Sequence, residues 1–223
     1  MRVLLTGGSG LIGTALNQSL TADGHEVVRL VRRPPGSADE RRWDPTAGVL
    51  DVGDVENFYA VVHLAGAGIG DKRWSQDRKR LILDSRVDST ELLSHRLAEA
   101  ESPPDVLISG SAIGFYGDRS DPVAEDAEPA DGPDFLSDLC VAWEGATRAA
   151  ESAGIRTAHI RSGLVLSKDG GALGKLLLPF RLGVGGRLGS GKTWWSWISI
   201  ADEIRAIRHL IDTPVHGAVN LTG

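Results

Sequence analysis

Thr6-Gly7-Gly8-Ser9-Gly10-Leu11-Ile12-Gly13 is the segment whose residue types and spacing point most directly to chemistry. It follows the apolar run Val3-Leu4-Leu5 and leads into an amphipathic stretch. In a turn of this pattern the first glycine permits a tight turn, the second lets a pyrophosphate approach the backbone, and the third lets a helix pack on the preceding strand. The N-terminus of that helix offers unpaired N–H groups and a partial positive charge to phosphates. The expected chemistry is dinucleotide binding, with Gly7, Gly8, Ser9, Gly10, Leu11, Ile12 and Gly13 at the cofactor. The end of the second strand selects which dinucleotide. A carboxylate about 20 residues past the loop holds the ribose 2′-hydroxyl of NAD. Here the strand reads Glu26-Val27-Val28-Arg29-Leu30-Val31, so Val31 stands at the acid position and Arg32-Arg33 follow. Guanidinium groups suit a 2′-phosphate. The cofactor expected is NADP, favoured over NAD by about 10- to 100-fold or more, with Arg32 and Arg33 on its 2′-phosphate.

Lys72, Arg73 and Trp74 follow a glycine-rich segment just past the end of an apolar strand, where ligands of α/β folds sit. Lys72 and Trp74 are candidates to grip an anionic or ring-bearing substrate, with a structural role for Trp74 as the alternative. Arg86 is read as a helix-surface ion pair, facing the site being the alternative, and Glu144 as a surface residue. Cys140 lies beside the apolar stripe of its helix and reads as a small core residue. Gly186-Arg187-Leu188-Gly189-Ser190-Gly191-Lys192-Thr193 fits the phosphate-loop pattern G-x-x-x-x-G-K-[ST]. That chemistry needs a strand before the loop and a helix after it. A broken glycine-rich run precedes this one and strand-like Trp194–Ile200 follows, so ATP chemistry is not expected. The six histidines have neither H-x-x-x-H nor H-E-x-x-H spacing, so no metal site is expected. Ser111 lacks the G-x-S-x-G context of a hydrolase nucleophile.

These residues need elements to position them, and the chain alternates strand and helix from its start. Strands are predicted at 2–6, 26–31, 60–64, 106–108 and 156–160, and helices at 11–20, 76–100 and 135–152. The long helix carries Leu83, Val87, Thr90, Leu93 and Leu97 on one predicted face. Residues 118–133, rich in Asp, Glu, Pro and Gly, read as a surface loop. This order predicts an α/β fold: a doubly wound parallel sheet of the Rossmann kind over residues 1–160. After that the rhythm breaks, and 161–223 is expected to hold C-terminal strands and a helix and to start a small, incomplete substrate lobe.

Composition narrows the function classes. With 223 residues, 41% hydrophobic and 24% charged, the chain is an ordinary globular one. Its net charge of −6 disfavours nucleic acid as a partner. No apolar run is long enough to span a bilayer, and no signal peptide is evident, so neither a membrane nor secretion is expected. A single cysteine excludes an intrachain disulfide and fits a cytoplasmic setting. The basic pair Arg41-Arg42 reads either as part of an anion site with Arg32 and Arg33 or as a solvated loop. A small-molecule substrate is the expected partner, with a homodimer left open.

The glycine loop, the segment Val62-His63-Leu64-Ala65-Gly66 and the segment Ile108-Ser109-Gly110-Ser111-Ala112-Ile113-Gly114-Phe115-Tyr116-Gly117 resemble the extended short-chain dehydrogenase/reductase superfamily of NAD(P)-dependent epimerases and dehydratases. Asp71-Lys72-Arg73-Trp74, Tyr116-Gly117-Asp118 and Ala142-Trp143-Glu144 are similar to one branch of it, the epimerase family proteins. The resemblance implies that Ala65 and Gly66 border the cofactor, and that Ser111 is the serine that hydrogen-bonds the reacting oxygen. It implies an oxidoreductase or epimerase acting on a carbonyl or hydroxyl group. The superfamily's usual acid–base pair, Tyr-x-x-x-Lys, is absent: Tyr59 and Tyr116 are followed four residues on by His63 and Ser120, and the helix expected to carry the pair reads Cys140-Val141-Ala142-Trp143-Glu144. Tyr116, five residues from Ser111, is the leading substitute, with a packed aromatic as the alternative. An NADP(H)-binding redox sensor or interaction module without turnover is the competing function.

Overall fold

The computed structural model describes residues 1–119, 121–187, 190–191 and 194–223. In chain order the elements are β1 (Arg2–Thr6), α1 (Leu11–Ala22), β2 (Glu26–Val31), β3 (Glu40–Arg42), β4 (Ala60–His63), α2 (Gln76–Glu99), β5 (Val106–Ala112), α3 (Phe135–Gly145), α4 (Arg148–Ser152), β6 (Arg156–Ser162), β7 (Leu164–Leu166), α5 (Gly171–Arg181), β8 (Trp197–Ser199), α6 (Ile200–Asp212) and β9 (Gly217–Leu221). Seven strands form one sheet in the order β3-β2-β1-β4-β5-β6-β9, and every pairing in it is parallel. The sheet is the doubly wound α/β arrangement expected from the sequence.

The near-continuous apolar strands are explained by burial on both faces. Alternate residues of β1 point to opposite sides. Val3 and Leu5 pack with Leu16 and Leu20 of α1 and with Ile204, Ile207 and Ile211 of α6. Leu4 packs on the other side with Leu93 and Leu97 of α2 and with Ala150 of α4. Beyond residue 160 the chain divides. β9 pairs with β6 at the edge of the main sheet, and α6 packs in the core beside α1. β7 and β8 form a separate two-stranded parallel sheet.

Several elements differ from the sequence-based expectation. The helix predicted over 135–152 is two: the Thr147 N–H turns to the Glu144 carbonyl three residues back, and its buried hydroxyl lies within hydrogen-bond distance of the Glu144 carbonyl, the Glu151 carboxylate and the His159 ring. The strand predicted at 106–108 runs on to Ala112, and strand-like 194–200 contains only β8 before α6 begins under the Ser199 cap. Arg41 and Arg42 fall in β3 rather than in a loop. On α2 the buried positions are Ile82, Arg86, Ser89, Thr90, Leu93, Ser94 and Leu97, so Leu83 and Val87 of the predicted stripe are only half-buried. The middle of this helix presents polar groups inward, at Arg86, Ser89 and Thr90.

Gly13 lies where α1 crosses the turn that follows β1. A Cβ there would stand 2.3 Å from the Gly7 carbonyl oxygen, which is backbone and has nowhere to go. Gly13→Ala is expected to lower the unfolding free energy by about 1–3 kcal/mol through overpacking. A denaturant melt checks this, and an unchanged midpoint contradicts it.

Candidate functional site

The turn after β1 is held against the end of β4, one strand over. The Thr6 hydroxyl oxygen accepts the backbone N–H groups of Leu64 and Ala65, each at 3.1 Å, and lies 2.8 Å from His63 Nδ1. The other ring nitrogen of His63 is 2.9 Å from the Thr90 hydroxyl and 3.3 Å from that of Ser89. Burial, and secondarily the charge of Arg86, push the His63 imidazole down to about 3, so it is neutral and structural. Gly7 has φ +68°, and a Cβ on it would stand 2.5 Å from the Leu64 carbonyl oxygen. Glycine is required there on both counts. β1 and β4 are adjacent, while chain order runs to opposite sides of them, which makes their carboxyl ends the switch point of the sheet.

The geometry fits a dinucleotide. Gly10 is the N-cap of α1 and no side chain caps that helix, so its first-turn N–H groups remain for an anion. Gly8, Ser9, Leu11 and Ile12 complete the loop, and Ala65 and Gly66 follow β4 directly beside it. Among the described residues, Arg32 is exposed and has no ion-pair partner. Arg33 differs: its Nη1 and Nη2 donate to the two oxygens of Glu40 at 2.7 and 2.6 Å, and that hydrogen bonding holds the Glu40 carboxyl below its usual range. Arg29 also reaches Glu40, at 3.2 Å.

A cavity of about 420 Å³ opens at the carboxyl ends of β5 and β6. Its walls are largely apolar and include Ile113, Leu136, Leu139, Leu164, Trp194 and Trp195, together with Arg86, Cys140 and Trp143. Neither Lys72 nor Trp74 lines it. Trp74 is 39% exposed, donates its indole N–H to the Ile69 carbonyl and stacks edge-on with Phe135. Lys72 is exposed on the same connection.

Behind the cavity lies a polar network that sequence reasoning missed. Glu144, expected on the surface, is half-buried and paired with Arg161: Nε donates to Oε1 and Nη2 to Oε2, both at 2.8 Å. The two side chains are 13% and 5% exposed. The Ser111 hydroxyl donates to Glu144 Oε1 at 2.6 Å. Arg161 Nη1 donates to the Tyr116 hydroxyl at 2.7 Å, and that hydroxyl in turn donates to Asn220 Oδ1 at 2.8 Å. Ser111 and Tyr116, expected together, are indeed joined, through Glu144 and Arg161. Both hydroxyl protons are already given to an acceptor. Burial alone would raise the Glu144 carboxyl, but Arg161 and Ser111 outweigh it and hold it below its ordinary range.

Two further residues depart from expectation. Arg86 is not a surface ion pair: it is 8% exposed, and among the described residues no carboxylate pairs with it. The signal for this was present in α2, where a charged residue falls on the inward face set by Ile82, Ser89 and Leu93. Cys140 is buried, as expected. Burial, then the nearby Glu144 charge, push its thiol up to about 11, so it is protonated at neutral pH. The phosphate-loop pattern at 186–193 is only partly within the described residues, since 188, 189, 192 and 193 lie outside them. Helix α5 precedes it and strand β8 follows it, the reverse of the order phosphate binding requires.

Residues 3–221 match the family described as NAD dependent epimerase/dehydratase. An epimerase family protein of Mycobacterium bovis is 44% identical over 222 residues, which cover 99% of this chain and 73% of that protein. A human epimerase family protein is 37% identical over 99% of this chain and 74% of its own length. A crystal structure of the human protein with NADPH superposes with a TM-score of 0.88, covering 100% of this chain and 74% of that one at 37% identity. A nucleoside-diphosphate sugar epimerase of Corynebacterium glutamicum gives a TM-score of 0.86 at 38% identity, covering 100% of this chain and 46% of that one.

Two carboxyls give opposite predictions. Glu144→Gln leaves Arg161 buried without a countercharge, and is expected to cost about 3–5 kcal/mol at pH 7. The folded-state value of Glu144 is depressed, so its contribution is present above the ordinary value of 4.5 and is lost as the pH falls below it. Urea melts of the two proteins should therefore converge in acid. Glu203, fully buried on α6 and accepting the Ser162 hydroxyl at 2.6 Å, is pushed up to about 7 by burial. Its folded-state value is raised, so stability is lost as the pH rises from 4.5 through 7. Glu203→Gln should be more stable than the parent at pH 8, by on the order of 3 kcal/mol, and nearly equal to it at pH 4; a constant difference across that range contradicts the assignment.

Proposed function

Since the chain belongs to the NAD-dependent epimerase/dehydratase family, we propose that it binds NADP(H) and uses it to reduce or epimerise a carbonyl or hydroxyl group on a small substrate held in the cavity. The observation that carries this reading is the contact between the two halves of the site. Gly66, at the cofactor end of β4, lies so close to Arg86 of the cavity wall that a Cβ would stand 3.0 Å from its guanidinium carbon. The glycine loop and the cavity are thus adjacent at one edge of one sheet, as transfer between a cofactor and a substrate requires. Gly7, Gly10 and Gly13 serve the pyrophosphate, Ala65 and Gly66 the floor. Arg32, free of a carboxylate, takes the 2′-phosphate, with Arg33 contributing what Glu40 leaves. The relative solved with NADPH supports the choice of cofactor.

NADPH, when bound, supplies a hydride. The proton must come from this chain or from water. The Ser111 and Tyr116 hydroxyls are committed to Glu144 and Asn220, so they position rather than donate. Ser111 fixes the Glu144 carboxylate, and Tyr116 helps fix Arg161. Cys140, in the helix expected to carry the missing pair, keeps its proton at neutral pH and lines the cavity.

The committed hydroxyls favour a second reading, in which NADP(H) is bound and never turned over. A fluorescence titration and a turnover screen separate the possibilities. NADPH is expected to bind at least about 10-fold more tightly than NADH, and Arg32→Ala to bring the two close together without changing the NADH affinity. Equal affinities in the parent protein sink the cofactor assignment. NADPH consumption with any of a panel of small carbonyl compounds supports the enzyme, and tight binding with no consumption across the panel supports the sensor.

A further inference from the structure

The polar groups of the cavity wall are unbalanced in sign. Arg86 and Trp143 both line it, with the guanidinium carbon 5.0 Å from the indole ring centroid. Both side chains are more than nine-tenths buried. Arg86 Nη1 donates to the carbonyls of Ala67 and Ile82 at 3.0 and 3.1 Å, which are neutral acceptors. Among the described residues, Arg86 Nε and Trp143 Nε1 are enclosed without a hydrogen-bond partner. Among the described residues, no Asp or Glu side chain lines the cavity, and the charged group that Arg86 feels at neutral pH is another guanidinium, that of Arg78. Burial, opposed by Cys140 and reinforced by Arg78, pushes Arg86 down to about 10, still charged at neutral pH. A buried, charged arginine without a counterion is costly to keep. The Arg161–Glu144 pair, a few residues away in the same fold, shows what this chain does when a buried arginine has only a structural task.

We infer that Arg86, seated against Trp143, is the anion-binding group of the cavity, and that the substrate carries a carboxylate or another small anionic group on an otherwise apolar body. The remaining walls are aliphatic and aromatic, which suits such a body. Arg86 meets this wall with no carboxylate among the described lining residues to neutralise it, and its contact with Gly66 sets the anion beside the cofactor floor. This rests on the proposed function for the identity of the cavity as a substrate site, and it names the class of substrate.

The test compares 3-phenylpropionate with its neutral isostere 3-phenylpropionamide, by ligand-observed NMR titration of the full chain with and without saturating NADP⁺. The carboxylate is expected to bind about 10-fold or more tightly than the amide, with NADP⁺ present as well as absent. Arg86→Gln should bring that ratio to about one, and Arg86→Lys should keep part of it; thermal melts establish that each variant folds. Should Arg86→Gln fail to fold, the comparison in the parent protein still decides. Equal binding of acid and amide, binding of neither up to their solubility limits, or a preference that survives in folded Arg86→Gln overturns the inference. A preference that NADP⁺ abolishes gives Arg86 to a cofactor phosphate and overturns it too. Failure to bind NADP⁺ at all is seen separately, and falls on the proposed function rather than on Arg86.

Discussion

The close approach of the turn after β1 to the end of β4 is the constraint on which the rest of the site depends. Gly7 and the Leu64 carbonyl leave no room for a Cβ between them, and the Thr6 hydroxyl ties down the two N–H groups that would otherwise end β4 unpaired. The neutral His63 ring extends the same bond line to Thr90 and Ser89 of α2. Three elements are thereby clamped at one point. That point is the switch in strand order, where a parallel sheet necessarily leaves a crevice. The polar inward face at the middle of α2 follows from this. Apolar residues at 89 and 90 would leave His63 buried with an unpaired ring nitrogen, at a cost of about 1–3 kcal/mol.

Beyond the clamp, the site separates into a satisfied region and an unsatisfied one. Behind the cavity, Ser111, Glu144, Arg161, Tyr116 and Asn220 give and accept bonds in a continuous line. Such a network is rigid because any one loss strands a buried partner. It braces the ends of β5, β6 and β9 and the helix α3. In front of it, among the described residues, Arg86 Nε and Trp143 Nε1 are enclosed without an acceptor, and no carboxylate lines the cavity beside Arg86. The two buried arginines differ in their countercharge: Arg161 has Glu144 beside it, and among the described residues Arg86 has no carboxylate.

Sequence and structure agree where local spacing carries the physics. The glycine spacing 7, 10, 13 announced a turn that only close backbone contact explains, and the period of the apolar strands announced a sheet covered on both faces. The arginines at 32 and 33 were legible by position, but not that Glu40, seven residues on, would engage one of them and leave the other free. The break between α3 and α4 was not legible either: the threonine at it has a partner, His159, that arrives on a later strand.

What the sequence by itself determined was the architecture, the glycine loop, and the absence of a Tyr-x-x-x-Lys pair, because each is a matter of residue type at a fixed short separation. What only the tertiary structure decided was the charge state and employment of the residues in between. Glu144 reads as a surface acid until Arg161, 17 residues later, is brought beside it. Tyr116 reads as a free acid until Asn220, 104 residues later, accepts its proton. Arg86 reads as a helix-surface cation until the fold buries it and supplies no carboxylate. Burial and pairing are sums over the whole chain in three dimensions, and no window of sequence contains them.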